Sequence, residues 1–303
     1  MRRSASMIDR CMELMLNGFC RTALYTPPSV GLAIGRLLGE LLCQADARHR
    51  HIAQANLKFA FQNRFDDRQI SRLVQKNFRQ WGMIAYEWSR MRFFDRLPRG
   101  RLPYRIEVDG LENLARARQG NAAVLLLSAH FGNWEYGHLY YASAINALNF
   151  IVRRIDHPLL EEKRIAVNRQ HGVTILYKES GLKAAIRNLR KGQDLVIFAD
   201  QKANIKEGIA CRFFGRHTTT LPILAALAQK YRLPIVPMFT VRKKNSAVHR
   251  LIFKPQLPMA PQDSIADTTQ RQNDAIEAMI RQHPDHWLWM HRKWRTEHPE
   301  IYK

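Results

Sequence analysis

A chain of 303 residues with 46% hydrophobic side chains has ample material for a core, which excludes global disorder and leaves room for one large or two small domains. Its 48 Lys and Arg against 26 Asp and Glu give a net charge of +22, and such an excess calls for polyanionic partners: nucleic acid, anionic phospholipid, a phosphorylated sugar lipid or an acidic carrier protein. Charge alone favours nucleic acid, but the basic residues are dispersed and show no lysine run, zinc-finger spacing or RNA-recognition signature. Cys11, Cys20, Cys43 and Cys211 form no short metal-type pair and read as reduced thiols, a single disulfide in the N-terminal group being the alternative. The basic start Met1-Arg2-Arg3-Ser4 leads into apolar residues interrupted by Glu13, so no cleavable signal peptide is expected.

Residues 8–25 are apolar with sparse charge and end at Pro27-Pro28. Residues 29–43 carry Ile34, Leu37, Leu38 and Leu41 at the spacing of one helix face, with Arg36 and Glu40 on another. Gly31, Gly35 and Gly39 recur every four residues, a pattern that lets another helix approach closely. Neither segment is a charge-free run of about twenty residues, so no spanning helix is compelled. The expectation is helices lying partly in one leaflet, with Arg2, Arg3, Arg10, Arg21 and Arg36 near headgroups. Two amphipathic helices packed on the core are the alternative.

From about residue 105 to 255, strand and helix patterns alternate. Strands are expected at 105–109, 122–128, 149–152, 173–176, 195–199, 235–241 and 250–253, with helices between most of them. The predicted fold class is therefore α/β, with a central, mostly parallel sheet flanked by helices. Residues 1–95 are expected to form a helical, membrane-associating N-terminal region, and residues 96–303 an α/β domain with a helical C-terminal segment.

The most informative stretch is His130-Phe131-Gly132-Asn133-Trp134-Glu135. It follows an apolar run that reads as a buried strand, and residues 134–144 read as a helix for which Asn133 is the cap. A histidine at the carboxyl end of a buried strand stands where α/β folds do chemistry. With His130 in the turn before the helix, Glu135 is placed to fold back on one ring nitrogen, fix the tautomer and leave the other nitrogen as a base. Gly132 allows a tight turn or a close substrate approach. The alternative is a structural histidine bonded to nearby backbone.

The string resembles the His-x4-Asp/Glu signature of glycerolipid and glycolipid acyltransferases, and its longer form that of the late lauroyl/myristoyl acyltransferases of lipid A biosynthesis. Further blocks follow in the same order. Asn56-Leu57 with Ala60-Phe61 resembles an Asn-Leu block, and Arg153, Asp156 and Pro158 an Arg-Pro-x-Asp-Asn-Pro block in which Arg154 and His157 replace the first proline and the asparagine. Arg169 and Gly172, then Asp200-Gln201, then Phe213-Phe214-Gly215 with Thr220, Pro234 and Pro237, match the next blocks. Residues 287–295 resemble the family's Trp-x-x-His-Arg-Lys-Trp segment.

The resemblance implies an acyltransferase that moves a fatty acyl chain from an acyl carrier protein thioester to a hydroxyl of an anionic lipid A precursor. It places the enzyme on the cytoplasmic face of the bacterial inner membrane. No cofactor, no metal and no nucleic acid are expected. His130 is the expected base, oriented by Glu135, with Gly132, Asn133, Arg153, Arg169, Asp200 and Gln201 as expected substrate-binding residues. Arg153 is a candidate for the oxyanion or for a substrate phosphate. Asp200 and Gln201, just past another strand, are carried toward the same sheet edge, where they position the acceptor, shape the pocket or cap the following turn. Arg164 and Arg169 meet phosphate or form salt bridges. Residues 286–295 interleave tryptophans with cations: an interfacial patch, packing that closes the acyl pocket, or zinc binding by His283, His286 and His291. Core packing is the expected role of Trp287 and Trp289. A non-enzymatic binder of nucleic acid or anionic membrane, and an acyltransferase acting on a lysophospholipid or another glycolipid, are the rival readings.

Overall fold

The computed structural model describes residues 25–91, 93–244 and 246–303, together with Gly18, Thr22 and Ala23. Most of the 8–25 segment, with Cys11, Cys20 and the first four of the arginines expected near headgroups, lies outside the described residues.

Helices α1 (Pro28–Ala45), α2 (Ala47–Phe61) and α3 (Asp67–Met91) come first. Proline at the first turn of α1 costs nothing because its missing N–H has no partner there anyway. The α/β body then runs β1 (Arg105–Asp109), α4 (Leu111–Arg118), β2 (Leu125–Ser128), α5 (Trp134–Ala144), β3 (Leu148–Val152), α6 (Pro158–Gln170), β4 (Val173–Tyr177), α7 (Gly181–Leu189) and β5 (Asp194–Phe198). It continues with β6 (Ile209–Phe213), β7 (Arg216–Thr220), α8 (Ile223–Tyr231), β8 (Ile235–Arg242), β9 (Val248–Phe253) and α9 (Ile265–Gln282).

The main sheet has the order β1-β9-β8-β2-β5-β3-β4. Strands β8, β2, β5, β3 and β4 run parallel, while β9 turns back antiparallel to β8 and carries β1 with it. Along β2 the side chains alternate between two cores: Leu125 and Leu127 face one, Leu126 the other, and all are buried. A strand buried on both faces is an unbroken apolar run, which is why 122–128 is readable without alternation. The first core receives α2, α3, α7, α8, α9 and Trp287, Trp289 and Trp294; the second receives α4, α5 and α6.

The seven expected strands are present. The β6–β7 hairpin lies outside that expectation. Its two-residue turn puts Phe214 at φ 54° and Gly215 at φ 71°, a twist-matched hairpin turn reached without the usual Asn-Gly or Asp-Gly pair. The expected C-terminal helix holds for α9 and a short 3-10 turn at Pro299–Tyr302; between them the chain is irregular, so residues 286–295 are a folded strap instead of a helix.

Helix α1 packs on α3 with its apolar stripe turned away from the contact. The face packed on α3 is the glycine face: a Cβ on Gly82 would stand 2.0 Å from the carbonyl oxygen of Gly35, so the two backbones touch. Ile34, Leu37, Leu38 and Leu41 point outward, each between 42% and 57% exposed. The stripe therefore does not pack on the core. Among the described residues no helix is long and apolar enough to cross a membrane.

Candidate active site

The register of β2 on β5 builds the centre of the site. Ser128 pairs with Phe198, and both strands end there. Two residues farther along each chain segment stand His130 and Asp200, side by side at the carboxyl edge. The connections then leave on opposite faces, α5 into one core and, past the β6–β7 hairpin, α8 into the other, which makes this edge a switch point of the sheet.

His130 Nδ1 lies 3.0 Å from Asp200 Oδ1, and the His130 backbone N–H donates to Asp200 Oδ2 at 3.0 Å. The indole N–H of Trp287 donates to the same Oδ2 at 2.9 Å. Burial alone would raise the Asp200 carboxyl; His130 and these donors overcome it and hold the group down to about 2. An ionised acceptor on Nδ1 requires the proton there, so Nε2 is the basic nitrogen. The His130 side chain is 23% exposed against 1% for Asp200, and its Nε2 faces the Gln201 amide nitrogen at 3.3 Å. Trp134 and Phe198 flank the imidazole with ring centroids 5.2 and 4.8 Å away.

The carboxylate on Nδ1 is thus Asp200, whereas spacing along the chain assigns that place to Glu135. The reason is geometric: once Asn133 caps α5, Glu135 is carried round the first helical turn, while strand register delivers Asp200 directly. Glu135 remains close enough to feel the charge of His130 and of Arg164, but burial pushes its carboxyl up, and its Oε2 is buried without a hydrogen-bond partner among the described residues. Arg164 forms a 2.6 Å ion pair with Glu161.

The remaining expected substrate-binding residues separate. Gln201 is exposed and reaches His130. Gly132 is buried at φ 57°, and a Cβ there would stand 1.9 Å from the carbonyl oxygen of Thr240, so glycine is needed for contact with β8 and not for a substrate's approach. Asn133 is fully buried; its Oδ1 accepts from Tyr136 N–H at 3.3 Å and its amide donates to Glu87 at 2.8 Å, so its observed bonds cap α5 and tie it to Glu87. Arg153 follows β3, one strand beyond β5, and its 75% exposed side chain pairs with Asp156. Arg169 is exposed in the last turn of α6.

The zinc alternative fails on hydrogen bonding. His286 Nδ1 faces Asp285 at 2.8 Å, and its Nε2 takes the Arg242 backbone N–H at 3.2 Å and the Gln80 amide at 3.0 Å. Both ring nitrogens are engaged. No cluster of three or more metal-ligating side chains occurs among the described residues.

Beneath the site lies a second, closed network. Glu87 binds both terminal nitrogens of Arg242, at 2.6 and 2.5 Å, and accepts from His249 at 2.9 Å. Sequence reasoning passes over Glu87 and Arg242 because a lone Glu in a helix and a lone Arg in a strand carry no local pattern. Trp287 matches its expected core role, being 1% exposed, but its bond to Asp200 is a further finding. The aromatic–cation interleaving of residues 286–295 is the available signal for it.

The sequence profile of the bacterial lipid A biosynthesis acyltransferases matches residues 2–296. The chain is 24% identical to the lipid A biosynthesis palmitoleoyltransferase of Escherichia coli (strain K12) over 265 residues, covering 87% of this chain and 84% of that protein. It is 24% identical to the lipid A biosynthesis lauroyltransferase of the same organism over 274 residues, covering 89% and 87%. The crystal structure of a 1-acyl-sn-glycerophosphate acyltransferase from Thermotoga maritima aligns over 84% of this chain and 98% of that one, with 12% identity and a TM-score of 0.38. With a family match that spans nearly its whole length, the chain belongs to the bacterial lipid A biosynthesis acyltransferases.

Proposed function

We propose that the chain transfers a fatty acyl group from an acyl carrier protein thioester to a hydroxyl of a lipid A precursor, with His130 as general base. The observation that carries the reading is the His130–Asp200 pair at the β2–β5 edge: one ring nitrogen is committed to a buried carboxylate and the other is left toward solvent. The acceptor O–H gives its proton to Nε2 as the oxygen attacks the thioester carbonyl. The tetrahedral intermediate then expels the thiolate, which takes the proton back from His130 and leaves as the carrier thiol. Asp200 holds the tautomer and stabilises the imidazolium, as the acid of a triad does. Glu135 adds an electrostatic influence from the first turn of α5, and Gln201 sits where the acceptor must come.

The reaction belongs, on this reading, at the cytoplasmic face of the inner membrane. The outward stripe of α1 supports this, since an apolar row beside Arg36 suits a headgroup–acyl boundary. The charge of +22 suits a phosphorylated glycolipid and an acidic carrier. Mass spectrometry after incubation of purified protein with acylated carrier protein and a phosphorylated lipid A precursor tests the reading. Addition of one acyl chain, lost in His130→Ala, is the expected result. Acylation of a lysophospholipid in preference to the glycolipid would replace the acceptor, and full activity in folded His130→Ala would remove the base.

A further inference from the structure

The strap of residues 285–293 is fastened from both sides. From α3, the Asn77 amide donates to the carbonyl oxygens of Asp285 and Trp287 at 2.9 and 2.7 Å. From α2, the Asn56 amide donates to those of Trp289 and His291 at 2.6 and 2.8 Å. The first amide holds the backbone of Trp287 itself and the second the two alternate residues that follow. The strap is also tied to the catalytic turn itself: Leu288 N–H donates to the His130 carbonyl at 3.1 Å, and Gly132 N–H to the His286 carbonyl at 2.9 Å.

Two strap side chains then reach the residues on either side of the imidazole. Trp287 donates to Asp200, which holds Nδ1. Lys293, fully buried, donates from Nζ to the Gln201 carbonyl at 3.2 Å, and Gln201 faces Nε2. An ammonium costs much to bury, and this one has a single hydrogen-bond acceptor among the described residues, so packing alone does not explain it. A carboxylate in a pocket has freedom to rotate about its last torsion; the His130 backbone N–H holds Oδ2 from one side at 3.0 Å, and the fixed indole N–H, a second donor on Oδ2 at 2.9 Å, completes the clamp and leaves Oδ1 for the imidazole.

We propose that this strap is a positioning element of the active site, with Trp287 as the positioning residue that orients Asp200 and through it fixes the tautomer of His130. The proposal rests on the reading of His130 as the base, and the two are separable because a tautomer is observable without turnover. The groups around His130 are Asp200 and Gln201 after β5, Glu135 and His138 on α5, and His291 on the strap.

The test replaces Trp287 in the full chain by phenylalanine and, separately, by benzothienylalanine, which keeps the bicyclic shape with sulfur in place of N–H. Thermal unfolding controls for the fold, and the benzothienyl variant covers the case in which Trp287→Phe collapses the surrounding aromatic cluster. Expected are a fall in kcat of about 10- to 100-fold, the range for one bond to a charged group, with KM within about two-fold. The 15N shifts of His130 should at the same time change from one tautomer to a mixture. Unchanged kcat with an unchanged tautomer overturns the proposal, and so does a loss that appears in KM alone. A mixed tautomer with full turnover keeps the strap's role and removes His130 from the chemistry.

Discussion

Two of the molecule's histidine–carboxylate pairs, nearly equal in length, are put to opposite uses. His130 lies 3.0 Å from Asp200, and His249 lies 2.9 Å from Glu87. His130 is 23% exposed and keeps Nε2 toward the exposed Gln201. His249 is fully buried, and its Nδ1 is enclosed without a partner among the described residues. Asp200 serves His130 and one indole, whereas Glu87 is shared by Arg242, His249 and Asn133. A short pair is therefore no mark of chemistry by itself. On the proposed mechanism the working pair is the one whose second nitrogen is left toward solvent.

The comparison breaks if the two pairs respond alike to substitution. Removing His130 with alanine should lower turnover about 10²- to 10⁴-fold, and Asp200→Asn, which unfixes the tautomer, should fall in the same range. His130→Ala should not shift the unfolding midpoint much, because His130 is partly exposed, whereas Asp200→Asn replaces a buried ionised carboxylate and should lower it. The Glu87 side should show the reverse. Arg242→Met leaves the buried Glu87 carboxylate without its cation, with only His249 and Asn133 donating to it, and breaking such a pair costs about 3–5 kcal/mol. Urea unfolding of Arg242→Met, beside that of His130→Ala, measures both. A folded Arg242→Met with wild-type stability would mean that the closed network holds nothing.

Acid should act on both pairs. Asp200 and Glu87 are each held at about 2 in the folded chain, below their ordinary values of 3.8 and 4.5. The unfolded chain thus binds more protons between about pH 4.5 and 2, so stability rises with pH there. It is fully present above pH 4.5 and lost as pH falls toward 2. Glu87→Gln should flatten that dependence, as read from unfolding midpoints across the pH series. An unchanged acid slope would show that Glu87 ionisation contributes nothing to it.

Lys293 sharpens the contrast from the active side. Burial pushes its ammonium down to about 8, against the pull of Asp200 and Glu297. For a lysine held below its ordinary value of 10.5, the unfolded chain binds the extra proton between about pH 8 and 10.5, so stability rises with pH across that window. Below pH 8 the native state carries the full cost of the buried charge. Lys293→Met should therefore stabilise the chain at pH 7 by on the order of 2 kcal/mol, an advantage that fades between pH 8 and 10.5. It should lower turnover by freeing Gln201. A variant more stable and less active would show that the charge is kept for the site; one less stable at pH 7 would show the reverse.

The succession of strands and helices along the chain, and the histidine between β2 and α5, are legible in the sequence, for a local reason. β2 is a continuous apolar run, α5 begins at an Asx cap, and His130 falls between them, all within about twenty residues. The identity of the carboxylate on Nδ1 is not legible, because it depends on the register of Ser128 with Phe198, a pairing across seventy residues that no spacing encodes. The same holds for Glu87 with Arg242 and for the strap held by Asn56 and Asn77: each is a single polar residue in an otherwise ordinary element. The β6–β7 turn escapes because Phe214-Gly215 lacks the usual turn composition. The α1 pattern reads correctly as two faces, but composition alone does not say which one packs.

That last ambiguity yields the smallest expected effects on stability and a clear separation of roles. Gly82→Ala puts a Cβ 2.0 Å from the Gly35 carbonyl oxygen, where only backbone movement relieves the clash. It should separate α1 from α3 and lower the unfolding midpoint by several degrees. Leu37→Gln with Leu41→Gln alters side chains 57% and 50% exposed, and such surface changes stay within about 0.5 kcal/mol. If the stripe rests in a lipid boundary, the double variant should lose much of its flotation with anionic liposomes and acylate lipid-dispersed acceptor poorly. It should retain turnover on a detergent-solubilised one, because α1 touches neither His130 nor Asp200. Undiminished flotation would free the stripe from the membrane and leave the positive charge as the sole support for surface binding. Equal losses on both forms of the acceptor would mean that α1 acts on the site through α3, whose Trp81 and Trp88 pack on Trp134 beside the His130 imidazole.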